Sequence, residues 1–155
     1  MEGEITVNTI ENLNELTVEI TEFLEKLAEV QQKKLDAVHN NDLVLLDECM
    51  KQEQAAVMKS KSLDRKREAI LLDLGFSGLS YKQILENMAE EKKAVAVPLF
   101  EKLRGAVLNF NQLNGQIKTS IEVNLHSISS TLENLKNSNV KNKNSGKVSF
   151  TDRMV

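Results

Sequence analysis

Residues 99–135 read LFEKLRGAVLNFNQLNGQIKTSIEVNLHSISSTLENL. Apolar residues recur in this stretch every three or four positions, which keeps them on one face of an α-helix. A helix of this length spans about 50 Å at about 1.5 Å per residue. It is too long for a compact globule of this size, so it needs a partner helix, as in a coiled-coil-like bundle. The stripe consists of Leu99, Leu103, Ala106 or Val107, Phe110, Leu113, Ile117, Ile121, Leu125, Ile128, Leu132 and Leu135.

The composition favours an all-α chain. The 155 residues fit one domain and contain no Trp, one Tyr, one Pro and six Gly, so few residues break helices. We therefore predict an elongated antiparallel helical hairpin or coiled-coil-like bundle of long helices with one short helix. The helical bundle domain is expected at residues 1–137. The apolar pattern then dissolves, and residues 138–155 are expected to form a flexible basic C-terminal tail.

Three helices are predicted before the long one, at about 6–39, about 43–74 and 81 to about 88. Asn and Asp at 40–42 favour helix caps and turns. Three such residues are compatible both with a kink in one continuous helix and with a reversal of the chain between two helices. Gly75 suits the left-handed position after a helix, and Ser80 with Gln83 forms a capping-box pattern. Pro98 predicts that the long helix either starts near Leu99 or is kinked there.

Charge and cysteine content restrict the class of protein. Residues 136–155 carry a net charge of +4, which leaves −7 on residues 1–135 of a chain with a formal charge of −3. An acidic body does not suggest nucleic acid as the partner. The single cysteine, Cys49, permits no internal disulfide and favours the cytoplasm. The first nine residues do not resemble a signal peptide, and no apolar run is long enough to insert into a membrane.

The sequence contains few candidates for catalytic or metal-binding residues. No Gly-rich phosphate loop, Cys-x-x-Cys pair or nucleophile elbow occurs. Asp36 with His39, and Glu122 with His126, are poor matches to the repeated Glu-x-x-His pattern of bundle metal sites. We therefore predict no enzyme activity, no cofactor and no metal, and we interpret Cys49 as a small packing residue.

The whole layout resembles the FlgN-type flagellar export chaperones. The resemblance rests on order and spacing over nearly the whole chain, and no single motif is specific. Its elements are the polar break with Asp42, a charged helix carrying Asp64 and Arg67 and closing on Leu74–Gly75, a short helix at 81–85, the paired Asn111 and Asn114, and a C-terminus reading FTDRMV at 150–155.

The resemblance implies a cytoplasmic chaperone that binds the hook–filament junction proteins FlgK and FlgL. It would keep these clients unpolymerised and deliver them to the flagellar type III export apparatus. Clients of this family are engaged through the C-terminal part of the long helix and the segment after it. On this sequence the client-binding residues would be Ile117, Ile121, Leu125, Ile128, Leu132 and Leu135, with Phe150 and Val155 as further candidates. For about half of these leucines and isoleucines, packing against the first helix is the stronger interpretation.

A different class of protein fits the same pattern. A structural or adaptor coiled-coil protein would homo-oligomerise through the long C-terminal helix. A homodimer is therefore a possible state of this protein. A chaperone would expose apolar surface as a monomer, whereas a scaffold would bury the stripe in a tight dimer.

Overall fold

The computed structural model describes residues 8–140, which form four α-helices and no strand. The helices are α1 (Ile10–His39), α2 (Leu43–Leu74), α3 (Tyr81–Glu86) and α4 (Glu90–Val140). The all-α bundle of long helices with one short helix is thus confirmed. Residues 138–140, expected at the start of the tail, still belong to α4. The rest of the predicted tail lies outside the described residues.

The chain reverses direction between α1 and α2. Asn41 has a φ of 53°, in the left-handed region that Asn tolerates better than most residues. The Asp42 carboxylate then accepts a hydrogen bond of 3.0 Å from the backbone N–H of Leu45 and caps α2. The antiparallel pairing brings Asn8 at the start of α1 to Asp73 at the end of α2 (Nδ2 to Oδ2, 2.7 Å). Residues 40–42 therefore form a hairpin turn.

Helix α4 lies on α1 in a parallel direction. Lys92 near the start of α4 pairs with Glu11 in the first turn of α1, and this hydrogen bond lowers the pKa of the Glu11 carboxyl. At the other end, the Nε2 of His39 lies 3.0 Å from the Oγ of Ser120. The two contacts fix one register along the whole of α1.

Helix α4 begins before Leu99, where one of the two sequence-based alternatives placed its start. It starts at Glu90 and runs through Pro98, so a start near Leu99 is wrong. Glu90 and Glu91 lie in the first turn, where carboxylates interact favourably with the helix dipole. Proline removes one backbone N–H, and its loss is outweighed when the helix is packed along its length.

The predicted signals at the end of α2 and at the start of α3 are confirmed. Gly75 ends α2 with a φ of 76°, and Ser80 and Gln83 form the predicted reciprocal capping box at the start of α3. At the start of α1, Thr9 is the N-cap and Asn12 completes a second capping box, so α1 begins a few residues later than predicted.

The core lies at the end of the bundle where α3 meets the three long helices. Ile84 of α3 is fully buried there, and Phe100 of α4 packs beside it. The buried members of this core are Leu13, Leu16, Leu63, Ile70, Leu71, Ile84, Met88, Ala96 and Phe100. Cys49 lies outside this cluster but is also buried, and its burial raises the pKa of its thiol, as suits a packing residue.

Gly105 is predicted to lower the stability of α4 without a compensating packing role. A Cβ built on Gly105 meets no atom within 4 Å, so the glycine serves no close packing. Gly105→Ala should raise the free energy of unfolding by about 0.5–1 kcal/mol, measured by urea denaturation followed by circular dichroism. Gly75→Ala is the matched control, because its positive φ should make alanine cost roughly 1 kcal/mol. Destabilisation by Gly105→Ala would contradict this assignment.

A partly buried polar network should contribute more than a surface ion pair. Glu53 of α2 accepts from Gln31 Nε2 at 2.7 Å and from Lys34 Nζ at 3.0 Å, and Gln31 itself is buried. Glu53→Ala should therefore lower the free energy of unfolding by about 1–3 kcal/mol, because two α1 side chains lose their partner. Asp47→Ala, which breaks the exposed pair with Lys51, should change it by less than about 0.5 kcal/mol. Equal effects of the two substitutions would exclude a special role for Glu53.

Candidate functional site

Helix α4 extends beyond the end of α1. Since Ser120 lies beside His39, the last residue of α1, residues 121–140 continue past the hairpin turn. This segment, which we call the overhang, is about 20 residues and therefore about 30 Å long. Within residues 8–140, the only helices that pack against α4 are α1 and α3, so the overhang has no partner helix beyond Asn124.

The apolar stripe continues along the overhang and is exposed there. Ile121, Leu125 and Ile128 follow one another at spacings of four and three residues, the period of a helix face that packs against another helix. The exposed fraction of each side chain is 37% for Ile121, 42% for Leu125, 46% for Ile128 and 57% for Leu135. Leu132 is half-buried. Five of the eight residues predicted to bind a client therefore lie on one accessible face.

Ile117 differs from the other members of the stripe. It is only 4% exposed, because it precedes Ser120 and so still lies beside α1. Its side chain holds the base of the overhang against the bundle. The last two predicted residues, Phe150 and Val155, lie outside the described residues.

A polar contact fixes the point where the overhang leaves the bundle. Asn124 Nδ2 donates a hydrogen bond of 3.3 Å to the backbone carbonyl of Val38 in the last turn of α1. This carbonyl is one of the last four of α1, and it also accepts a hydrogen bond of 3.4 Å from the backbone N–H of Asn41 in the turn. Asn124 therefore links α4 to the C-terminal end of α1. The paired Asn111 and Asn114 are exposed.

The overhang carries little charge. Glu122 and Glu133 are its only carboxylates between residues 121 and 135, and serine, threonine and asparagine occupy most of the remaining polar positions. Contact with such a surface would bury mainly apolar side chains.

Two exposed apolar residues at the hairpin tip were not singled out from the sequence. Leu43 and Val44 begin α2 and are both largely exposed. They lie at the end of the bundle from which the overhang departs, because the hairpin turn and Val38 are both at this end. The signal that could have found them is the pair of adjacent apolar residues directly after the Asp42 N-cap.

The described part of the chain offers little for other kinds of site. No group of three His, Cys, Asp or Glu side chains in residues 8–140 is placed to hold a metal ion. None of the four helices is both long and apolar enough to span a membrane.

Comparison with known proteins identifies the family. No curated protein and no solved structure matches the chain significantly. A family model described as FlgN protein matches residues 1–147. Because this match covers nearly the whole chain, the protein belongs to the FlgN family of flagellar export chaperones.

Proposed function

We propose that this protein is a cytoplasmic flagellar type III export chaperone whose clients are the hook–filament junction proteins FlgK and FlgL. In this role it keeps the clients from assembling prematurely and delivers them to the export gate. The observation that carries the proposal is the exposed apolar stripe of the overhang in a chain that belongs to the FlgN family. The function requires binding and release, and no catalytic step.

An amphipathic terminal segment of the client is the natural ligand for this stripe. Its apolar face would lie along Ile121, Leu125, Ile128, Leu132 and Leu135, in the manner of a helix that docks on a hydrophobic surface. Full burial of an aliphatic side chain contributes roughly 1.5–3 kcal/mol. Several such contacts offset the cost of ordering the client segment and are sufficient for micromolar affinity.

Two contacts hold the base of the overhang against the bundle. Ile117 is anchored in the bundle, and Asn124 is hydrogen-bonded to α1. A surface that is held in place before binding loses less entropy on binding, which favours affinity. We propose Phe150 and Val155, at the C-terminus, as additional client contacts.

The same uncovered stripe also suits the alternative, a structural or adaptor protein that homo-oligomerises through α4. Two copies would then cover each other's overhang. Sedimentation analysis of the full chain separates the two functions. A monomer at micromolar concentration supports the chaperone, and a tight dimer that Leu125→Asp dissociates supports the scaffold.

Charged substitutions on the stripe should separate binding from folding. Leu125→Asp or Ile128→Asp should weaken client binding at least tenfold, because each removes an apolar contact of about 1.5 kcal/mol or more and places a carboxylate against the client. The melting temperature should change by no more than a few degrees, since both side chains are already exposed. Titration calorimetry and thermal denaturation measure the two effects.

Two control variants on α4 show how a charge acts at an exposed position outside the overhang and at a buried position. Leu108→Asp changes a leucine that is 59% exposed but lies before the overhang, and it should leave client binding unchanged. Ile117→Asp places a charge in a buried position and should lower the melting temperature strongly. If Leu125→Asp behaves like Ile117→Asp, the stripe is part of the core and the proposed client site is wrong.

Calorimetric titration with FlgK and FlgL from the same organism tests the identity of the clients. Each client is used at full length and without its terminal segments. Tight binding that is lost on truncation is the expected result, because the terminal segment supplies the amphipathic helix. Absence of binding by folded protein would reject FlgK and FlgL as clients.

A further inference from the structure

Within residues 8–140, the bundle consists of three long helices and one short helix, α3, which covers only part of the space between α2 and α4. Helix α1 packs against both α2 and α4, whereas no Cα of α2 lies within 8 Å of one of α4 in the described chain. The face of α1 between them is covered at one end by α3, through the fully buried Ile84. Since α3 (Tyr81–Glu86) spans only six residues, it covers this face for less than two turns.

A cleft opens beside Tyr81, the first residue of α3. It has a volume of about 340 Å³, and side chains of all four helices line it. Phe23 and Leu24 of α1 form its floor and are only half-buried. Val107 of α4, with 38% of its surface exposed, and Tyr81 of α3 form its sides. In a four-helix bundle such a floor is covered by the fourth helix.

The α2 side of the cleft is basic. Lys61 and Arg67 line it, and Lys59 lies over the Phe23 ring at 5.7 Å from its centroid. Arg67 lies over the Tyr81 ring at 5.5 Å, so both cations are held beside apolar surface. Asp64 is the one carboxylate in the lining. Within residues 8–140, none of the three basic residues forms a salt bridge.

We propose that this cleft docks an amphipathic helix of a partner protein that carries Asp and Glu beside its apolar face. The apolar face would cover Phe23, Leu24 and Val107 and continue the line of α3. The carboxylates would meet Lys59, Lys61 and Arg67, whose excess over Asp64 supplies the charge complementarity. A helix with basic flanks would place like charges together and would be excluded.

This second docking site goes beyond the proposed function and does not depend on it. Val107 precedes Ile121 by about 20 Å along α4, so the cleft and the overhang are separate surfaces. Their chemistry also differs, because the cleft is flanked by cations and the overhang is nearly uncharged. One molecule could therefore hold a ligand at each surface.

Two designed helical peptides test the proposal with the full chain. Both have about 18 residues and the same leucine face at i, i+3, i+4 and i+7, but one carries glutamate and the other lysine at the flanking positions. Fluorescence anisotropy should show binding of the glutamate peptide, with an affinity at least tenfold above that of the lysine peptide and weakened by added salt.

Variants then locate the bound peptide. Lys59→Glu with Lys61→Glu should reduce the affinity for the glutamate peptide at least tenfold, and both side chains are exposed, so the fold should be retained. Val107→Asp should reduce it to a similar extent. Leu125→Asp, on the overhang, should leave it unchanged.

Three outcomes would overturn the proposal. They are equal affinity for the lysine and glutamate peptides, unchanged affinity of the two cleft variants for the glutamate peptide, and loss of glutamate-peptide binding in Leu125→Asp. Self-association that the cleft variants remove would show that a second copy, not an acidic partner helix, occupies the cleft. Because the FlgK and FlgL titrations use the overhang variants, failure at the cleft leaves the proposed function testable on its own.

Discussion

Burial of α1 between α2 and α4 is the constraint on which the rest of the structure depends. It is the one helix of the described chain that packs against both other long helices, so its sequence must supply buried residues on two sides. Thr17 and Thr21 are among them, and each hydroxyl donates to a backbone carbonyl one turn earlier, at 2.8 and 2.7 Å. Small polar residues are thus satisfied inside α1 itself and allow two neighbours to pack closely.

The register of α4 on α1 creates the exposed surface. With Lys92 fixed beside Glu11 and Ser120 beside His39, a 51-residue helix lies on a 30-residue helix and must extend past it. The apolar stripe of α4 packs against α1 before Ser120, and it is accessible to solvent after Ser120, where α1 has ended. One uninterrupted helix therefore provides both the packing against α1 and the exposed stripe that we propose as the client surface.

Much of the fold follows from signals that act within one or two turns. The ends of α1 and α2 at His39, Leu43 and Leu74, and the capping box at Ser80, agree with the sequence-based predictions because caps and turns are local. The start of α4 was predicted less well. The preference of Pro98 to begin a helix is also local, but it is overridden when packing against α1 stabilises the turns before it.

The sequence by itself determined that the chain is helical, where most helices end, and that one apolar stripe runs along the last of them. These properties depend on the period of side chains and on residues that cap or break helices, which neighbours in sequence decide. Only the tertiary structure decided the chain reversal at Asn41, the burial of Ile117 and the exposure of Leu125 on the same stripe. Their difference arises from where α1 ends beside α4, a contact between residues about 80 positions apart that periodicity alone does not encode.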